Sequence, residues 1–174
     1  GKEKTRNLWW MKADGTGRRE IGAVIDNRQG PPQWSADGAW VYCTVQERGD
    51  VRLYRLPAAG GAAEIVAPPA GERGAAGSWS VARARTVAFA MSTPGGPAEL
   101  YIREPGAAAL RRVTDLNREL LATRPIAQVE ALTFTGPDGL EIEGFLTLPA
   151  NRAEGTRHPL IVAVHGGPHG QQGP

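Results

Sequence analysis

Cysteine is all but absent from this chain. Cys43 stands alone, so no intrachain disulfide forms and a cysteine metal site is excluded. Its neighbours Val41, Tyr42 and Val45 mark it as a small core residue of a strand, not a reactive thiol. The only histidines are His158, His165 and His169. They have neither helical nor strand spacing, and no metal set is expected from them. No apolar run approaches the ~20 residues of a membrane-spanning helix. An excess of one charge is lacking too. Twenty Lys and Arg face 18 Asp and Glu, a net charge of +2, and mixing along the chain leaves no basic patch for nucleic acid. The chain opens Gly-Lys-Glu-Lys, without an initiator Met or a signal-peptide pattern. The natural amino terminus is therefore expected to be absent. The cytoplasm is the favoured compartment, with a periplasmic or secreted setting left open.

Turn formers are plentiful. Gly 23 and Pro 14 in 174 residues favour many short strands over a helical bundle, and residues 1–114 repeat themselves. Alternating apolar stretches open at Leu8, Leu53 and Leu100, 45 and 47 residues apart, and each runs through a turn to a second strand. Asp14-Gly15, Gly60-Gly61 and Pro105-Gly106 supply those turns, the Asp-Gly and Gly-Gly pairs giving the positive φ angles that tight hairpins need. A second marker keeps the beat. Gln33-Trp34-Ser35-Ala36-Asp37-Gly38 precedes the strand Trp40–Val45, and 45 residues later Ser78-Trp79-Ser80 precedes Thr86–Met91. Four short strands per period of roughly 40–50 residues is the pattern of β-propeller blades. Two complete blades are expected, at about 32–66 and 77–113, plus the outer half of an earlier one at 8–21. Trp34 and Trp79 read as packing residues between blades, with an aromatic ligand platform the lesser alternative. Trp9, Trp10 and Trp40 read as core.

Residues 115–128 form a linker. Thr114-Asp115 is expected to cap a short helix through Leu116, Leu120 and Leu121 that Pro125 stops. A hairpin follows, Val129–Thr135 against Leu140–Leu148 across Gly136-Pro137-Asp138-Gly139. Leu140, Ile142, Leu146 and Leu148 share one face of its second strand, leaving Glu141 and Glu143 on the expected wet face as solvated charges. A polar loop then leads to Leu160-Ile161-Val162-Ala163-Val164-His165-Gly166-Gly167-Pro168. Its unbroken apolar run suits a strand buried on both faces, as in a parallel sheet.

Blades of about 45 residues, a short helical linker, a Glu…Asp-Gly…Gly-Phe-Leu…Pro hairpin and a strand ending His-Gly-Gly-Pro together resemble the prolyl oligopeptidase family of serine peptidases. The acylaminoacyl-peptidase and dipeptidyl-aminopeptidase-like branch is the nearest. The expected fold class is mainly β: a partial β-propeller, with two complete blades plus part of a third, followed by the first strands of an α/β-hydrolase domain. The expected domains are 1–114, a partial TolB-like propeller; 115–128, the linker; and 129–174, the start of a truncated peptidase domain. The resemblance implies acyl transfer on short peptides, with the propeller gating access. It implies an oxyanion hole to which the backbone N–H of Gly166 or Gly167 contributes, in a turn shaped by His165 and Pro168. His165 precedes any nucleophile, whereas the hydrolase triad runs Ser, Asp, His; its expected role is therefore in the turn. His158 and His169 read as surface loop residues.

No Gly-x-Ser-x-Gly occurs, and the serines, Ser35, Ser78, Ser80 and Ser92, all lie in the repeats. The expectation is an internal fragment of a serine peptidase, inactive by itself, with no catalytic residue, metal or cofactor of its own. Its partner would be a short peptide, with no role for nucleic acid or membrane and the oligomeric state left open. The severed sheet and the open arc of blades make it prone to aggregation. Two other readings stand beside it. A non-enzymatic TolB-like binding module accounts for residues 1–114 but not for Leu160–Pro168. A carboxylesterase-like hydrolase shares the His-Gly-Gly turn but is not expected to carry a preceding propeller.

Overall fold

The computed structural model describes residues 7–166 and 170–173. It is built mainly of antiparallel strands. A two-stranded ribbon comes first, β1 (Trp9–Trp10) against β2 (Arg19–Glu20). Its turn closes as the composition dictates. The Asp14 carboxylate accepts the Thr16 N–H and hydroxyl at 2.9 and 2.7 Å, and Gly15 takes φ +83°, which costs glycine nothing.

Two four-stranded antiparallel meanders follow, one on each sequence repeat. The first runs β3 (Gln33–Trp34), β4 (Trp40–Glu47), β5 (Asp50–Pro57) and β6 (Glu64–Ala67). The second runs β7 (Ala75–Val81), β8 (Val87–Thr93), β9 (Gly96–Arg103) and β10 (Arg111–Arg112). One parallel pairing, Val51 with Ala75, joins them.

The Trp-Ser-x-Asp-Gly motif earns its place at the β3–β4 turn. The Ser35 hydroxyl donates to Asp37 at 2.6 Å and accepts the Trp40 N–H at 2.9 Å. Asp37 also accepts the Ala39 N–H, and these donors hold its carboxyl below the usual range, the Ser35 hydroxyl most of all. The matching β7–β8 turn has no Asp-Gly. There Arg85 takes φ +66° where Gly38 takes +68°, and its guanidinium lies 3.7 Å from Asp37, linking the two turns.

β4 is buried on both faces. Tyr42 joins Leu53, Val66, Ala76, Phe89 and Met91 in a core between the meanders. Cys43, one residue on, joins Val45, Leu56 and Ile25 in a second core on the opposite face. Burial raises the Cys43 thiol pKa to about 12, as suits an inert packing residue. Trp79 meets the expectation of a packing residue, its ring 6.3 Å from that of Tyr42 across the two meanders, and Trp40 packs on the same core. Trp34 and Trp9 do not, being 48% and 51% exposed. β3 is the outermost strand of its sheet, and the β1–β2 ribbon is too narrow to cover Trp9, which instead carries Arg18 stacked at 4.4 Å.

The linker helix α1 spans Arg118–Thr123 with Asn117 at its N-cap, not Thr114 or Asp115. Those two residues are otherwise engaged. The Thr114 hydroxyl donates to the buried carboxylate of Glu99, and Asp115 pairs with Arg112 and Arg118. Leu116 and Leu120 are exposed.

β11 (Val129–Thr135) and β12 (Glu141–Thr147) form the expected hairpin. Gly136 N–H donates to the Leu140 carbonyl at 2.8 Å, and Gly139 takes φ +80°. One side of the hairpin, that of Glu141, Glu143 and Phe145, meets the body through its aromatic ring. Phe145, part-buried, lies 4.8 Å beneath the Arg73 guanidinium, while Glu143 stays exposed and reaches Arg48 at 3.2 Å. The opposite face, with Leu132, Phe134 and Ile142, is 40–54% exposed. Glu141 and Glu143 are both exposed, as expected of solvated charges, and Glu143 adds a surface ion pair with Arg48.

Candidate functional site

The segment singled out by the sequence runs from Leu160 to Pro168. The structure corrects the reading of a buried strand. Residues 160–166 carry no strand pairing, and Ile161 and Val164 are 90% and 88% exposed. A strand needs an edge to pair with, and among the described residues none lies alongside. His165 Nδ1 sits 3.2 Å from the Gly166 carbonyl oxygen, a local contact within the turn. Among the described residues none lies within 4 Å of where a Cβ on Gly166 would stand. Gly167, Pro168 and His169 lie outside the described residues. His158 is exposed on its loop, as expected. Among the described residues no cluster of His, Cys, Asp and Glu is arranged to hold a metal ion.

Residues 170–173 meet the body at the Arg48-Gly49 turn between β4 and β5. Gln171 Nε2 donates to the Asp50 carbonyl at 2.7 Å, and its Oε1 accepts the Gly49 N–H at 3.2 Å. Gly49 takes φ +81°, and a Cβ there would fall 2.4 Å from the Phe145 ring. Glycine is therefore required twice over, by conformation and by space. Asp50, itself buried, holds this corner through Arg52 at 3.2 Å, Arg73 at 3.5 Å and the Gly74 N–H at 3.0 Å. Sequence reasoning missed this junction. Nothing local in the sequence marks a turn as the seat of residues about a hundred positions away.

A second feature escaped it as well. A cavity of about 250 Å³ opens at one end of the wedge between the meanders, with Tyr42, Arg55, Arg85 and Arg103 among its lining. Cross-strand register places these residues. Tyr42 lies opposite Arg55 on the first meander, and Val87 opposite Arg103 on the second.

No family model matches the chain. It is 27% identical over 148 residues to the uncharacterized peptidase YuxL of Bacillus subtilis (strain 168), a match covering 84% of this chain and 22% of that protein. Among solved structures it is similar to the AtxE2 isopeptidase with Astexin3-dC4 bound, with TM-score 0.68, 19% identity, and coverage of 88% of this chain and 23% of that one. It is similar also to the Pyrococcus horikoshii acylaminoacyl peptidase, with TM-score 0.66, 20% identity, and coverage of 82% and 21%. An acylaminoacyl peptidase in complex with Z-Gly-Gly-Phe-chloromethyl ketone gives TM-score 0.66 at 23% identity over 83% and 21%. The chain thus spans less than a quarter of each relative. All are peptidases, which is consistent with a fragment of a prolyl oligopeptidase-family peptidase.

Proposed function

We propose that this chain is part of a larger serine peptidase of the prolyl oligopeptidase type that cleaves short or blocked peptides. In this reading the two meanders are propeller blades, the β1–β2 ribbon is the outer half of another, and residues 129–174 open the hydrolase domain. The observation that carries it is order: repeats of about 45 residues, then a linker, then His-Gly-Gly-Pro, in a chain that matches a peptidase over 84% of its length. The likeness to acylaminoacyl peptidases favours an acylaminoacyl preference.

The chemistry assigned to this chain is electrostatic. When a serine attacks the scissile carbonyl, the carbonyl oxygen becomes an oxyanion, and the bond to the leaving amine breaks as that amine takes a proton. The N–H groups of Gly166 and Gly167 would donate to the oxyanion, with His165 and Pro168 shaping the turn that aims them. One such donor contributes roughly 3–4 kcal/mol to the transition state. The chain has no Gly-x-Ser-x-Gly, so nucleophile, acid and base would come from the rest of the peptidase, and the isolated chain is expected to be inactive. Blades in front of such a site would restrict entry to short peptides.

The test is to express the complete coding sequence and assay N-acetylated amino-acid anilides, unblocked peptides and simple esters side by side, with a fluorophosphonate probe for the serine. Anilide or peptide hydrolysis with probe labelling is expected. Hydrolysis of esters alone would favour the carboxylesterase reading. No hydrolysis and no labelling would leave a binding module.

A further inference from the structure

Four residues of the 129–174 segment converge on one corner of the first meander, the turn at Arg48, Gly49 and Asp50. Phe145 lies over Gly49, and Glu143 reaches Arg48. Gln171 binds the backbone itself. Its side-chain amide donates to the Asp50 carbonyl at 2.7 Å and accepts the Gly49 N–H at 3.2 Å. A donor and an acceptor held in one plane match the two backbone groups they meet, as a neighbouring strand would. Gly173 lies so close to the Gly49 carbonyl oxygen that a Cβ on it would collide. The corner is firm ground for such a tether. Asp50 is buried and held by Arg52, Arg73 and the Gly74 N–H. Val51 beside it carries the pairing to Ala75 of the second meander.

What the tether holds is the turn that follows Val164. Gly170, next to Gln171, folds back on it: a Cβ on Gly170 would lie 3.7 Å from the Gly166 carbonyl oxygen. On the amino side, residues 160–166 pair with no strand. Among the described residues, the hydrogen bonds that link this turn to the meanders are therefore those of Gln171. An oxyanion donor works by being aimed in advance, and a misplacement of about 1 Å can cost a hundredfold in rate. We propose that Gln171 is a positioning residue: its amide ties the turn carrying Gly166 to the Gly49-Asp50 corner, so that the first meander sets the direction of the Gly166 N–H. The assignment rests on the reading of that N–H as an oxyanion donor. It makes the repeats part of the catalytic geometry, through a side chain that itself touches no substrate.

The test uses the complete peptidase and two variants. Gln171→Met keeps the length of the side chain and removes both hydrogen bonds. Glu143→Gln removes the surface ion pair at the same corner and leaves the turn alone. For each, four quantities are read: amide exchange at Gly49, kcat and KM on an N-acetylated amino-acid anilide, affinity for a peptidyl trifluoromethyl ketone, and melting temperature. The serine oxygen adds to the ketone carbon, and the adduct carries the oxyanion without losing a leaving group. Gln171→Met is expected to speed exchange at Gly49 about tenfold and to lower kcat about tenfold, with KM changed by less than about twofold. The ketone should weaken by the same factor as kcat, at an unchanged melting temperature. Glu143→Gln should keep the parent kcat and ketone affinity. Parent kcat and ketone affinity in Gln171→Met would overturn the assignment alone, as would exchange at Gly49 indifferent to that substitution. A raised KM together with a lowered melting temperature would mark a structural contact only and overturn it too. A parent protein that neither cleaves the anilide nor binds the ketone would overturn the peptidase reading, and this assignment with it.

Discussion

Glu99 shows how much a single buried acid decides. It lies opposite Met91 on the face that packs against the first meander, where isolated charge is costly, yet every nearby donor converges on it. Thr114 donates through its hydroxyl, Leu116 through its N–H at 2.9 Å, and Arg112 lies 3.2 Å away. The Thr114 hydroxyl above all, then the Leu116 and Asn117 N–H groups, lower its pKa from 4.5 to about 2. A depressed folded-state pKa stabilises the fold above the unfolded value and stops doing so as pH falls through the folded one. The chain is therefore expected to lose stability between pH 4.5 and about 2, and Glu99→Gln to flatten that part of the profile. Denaturant midpoints across this pH range check it. Gln29 plays a similar part without charge. Its buried amide donates to the Gly22 and Ile25 carbonyls at 2.8 and 3.1 Å and accepts the Leu8 N–H at 2.8 Å. Gln29→Ala strands these groups and is expected to cost about 2–4 kcal/mol, measured by urea unfolding. Neither residue was legible beforehand, because a lone Glu or Gln in sequence says nothing of the distant backbone groups it will meet.

At the scale of elements, the strands and turns were the legible part. Period-2 alternation, Asp-Gly and Gly-Gly turns and the repeated Trp-Ser are local signals, and each acts through backbone geometry that its own residues set. The orientation of the β11–β12 hairpin was not legible, since alternation separates two faces without saying which one meets the body. Here an aromatic ring outweighed a row of aliphatic side chains, because Phe145 fits over Gly49 and beneath Arg73. The Leu160–Val164 run was misread for a related reason. Composition suits it to a buried strand, but strand pairing is a property of two segments. Phe145→Ala is expected to remove the main anchor of the hairpin. Hydrogen exchange should speed up at least tenfold in β11 and β12 while β4, β5, β8 and β9 keep their protection.

For the whole molecule, the central quantity is the packing between the meanders. Tyr42, Leu53 and Val66 from one and Phe89, Met91 and Ala76 from the other make a single core, while one backbone pairing, Val51 with Ala75, crosses the boundary. Phe89, fully buried and stacked on Tyr101 at 6.1 Å, belongs to both sheets energetically. Phe89→Ala is expected to cost about 3–5 kcal/mol and to lower the melting of both meanders together, seen as parallel loss of exchange protection in β4 and β8. The Leu160–Pro168 segment was legible only as a motif, because the geometry that would make it a site is not held by these residues. A core of side chains across a single backbone pivot has a further consequence. The angle between successive sheets is set by side-chain volume and not by hydrogen-bond geometry, like the spread of a hand fan fixed by what is wedged between its ribs. Larger or smaller residues at Tyr42, Trp79 and Phe89 would change that angular step from one repeat to the next.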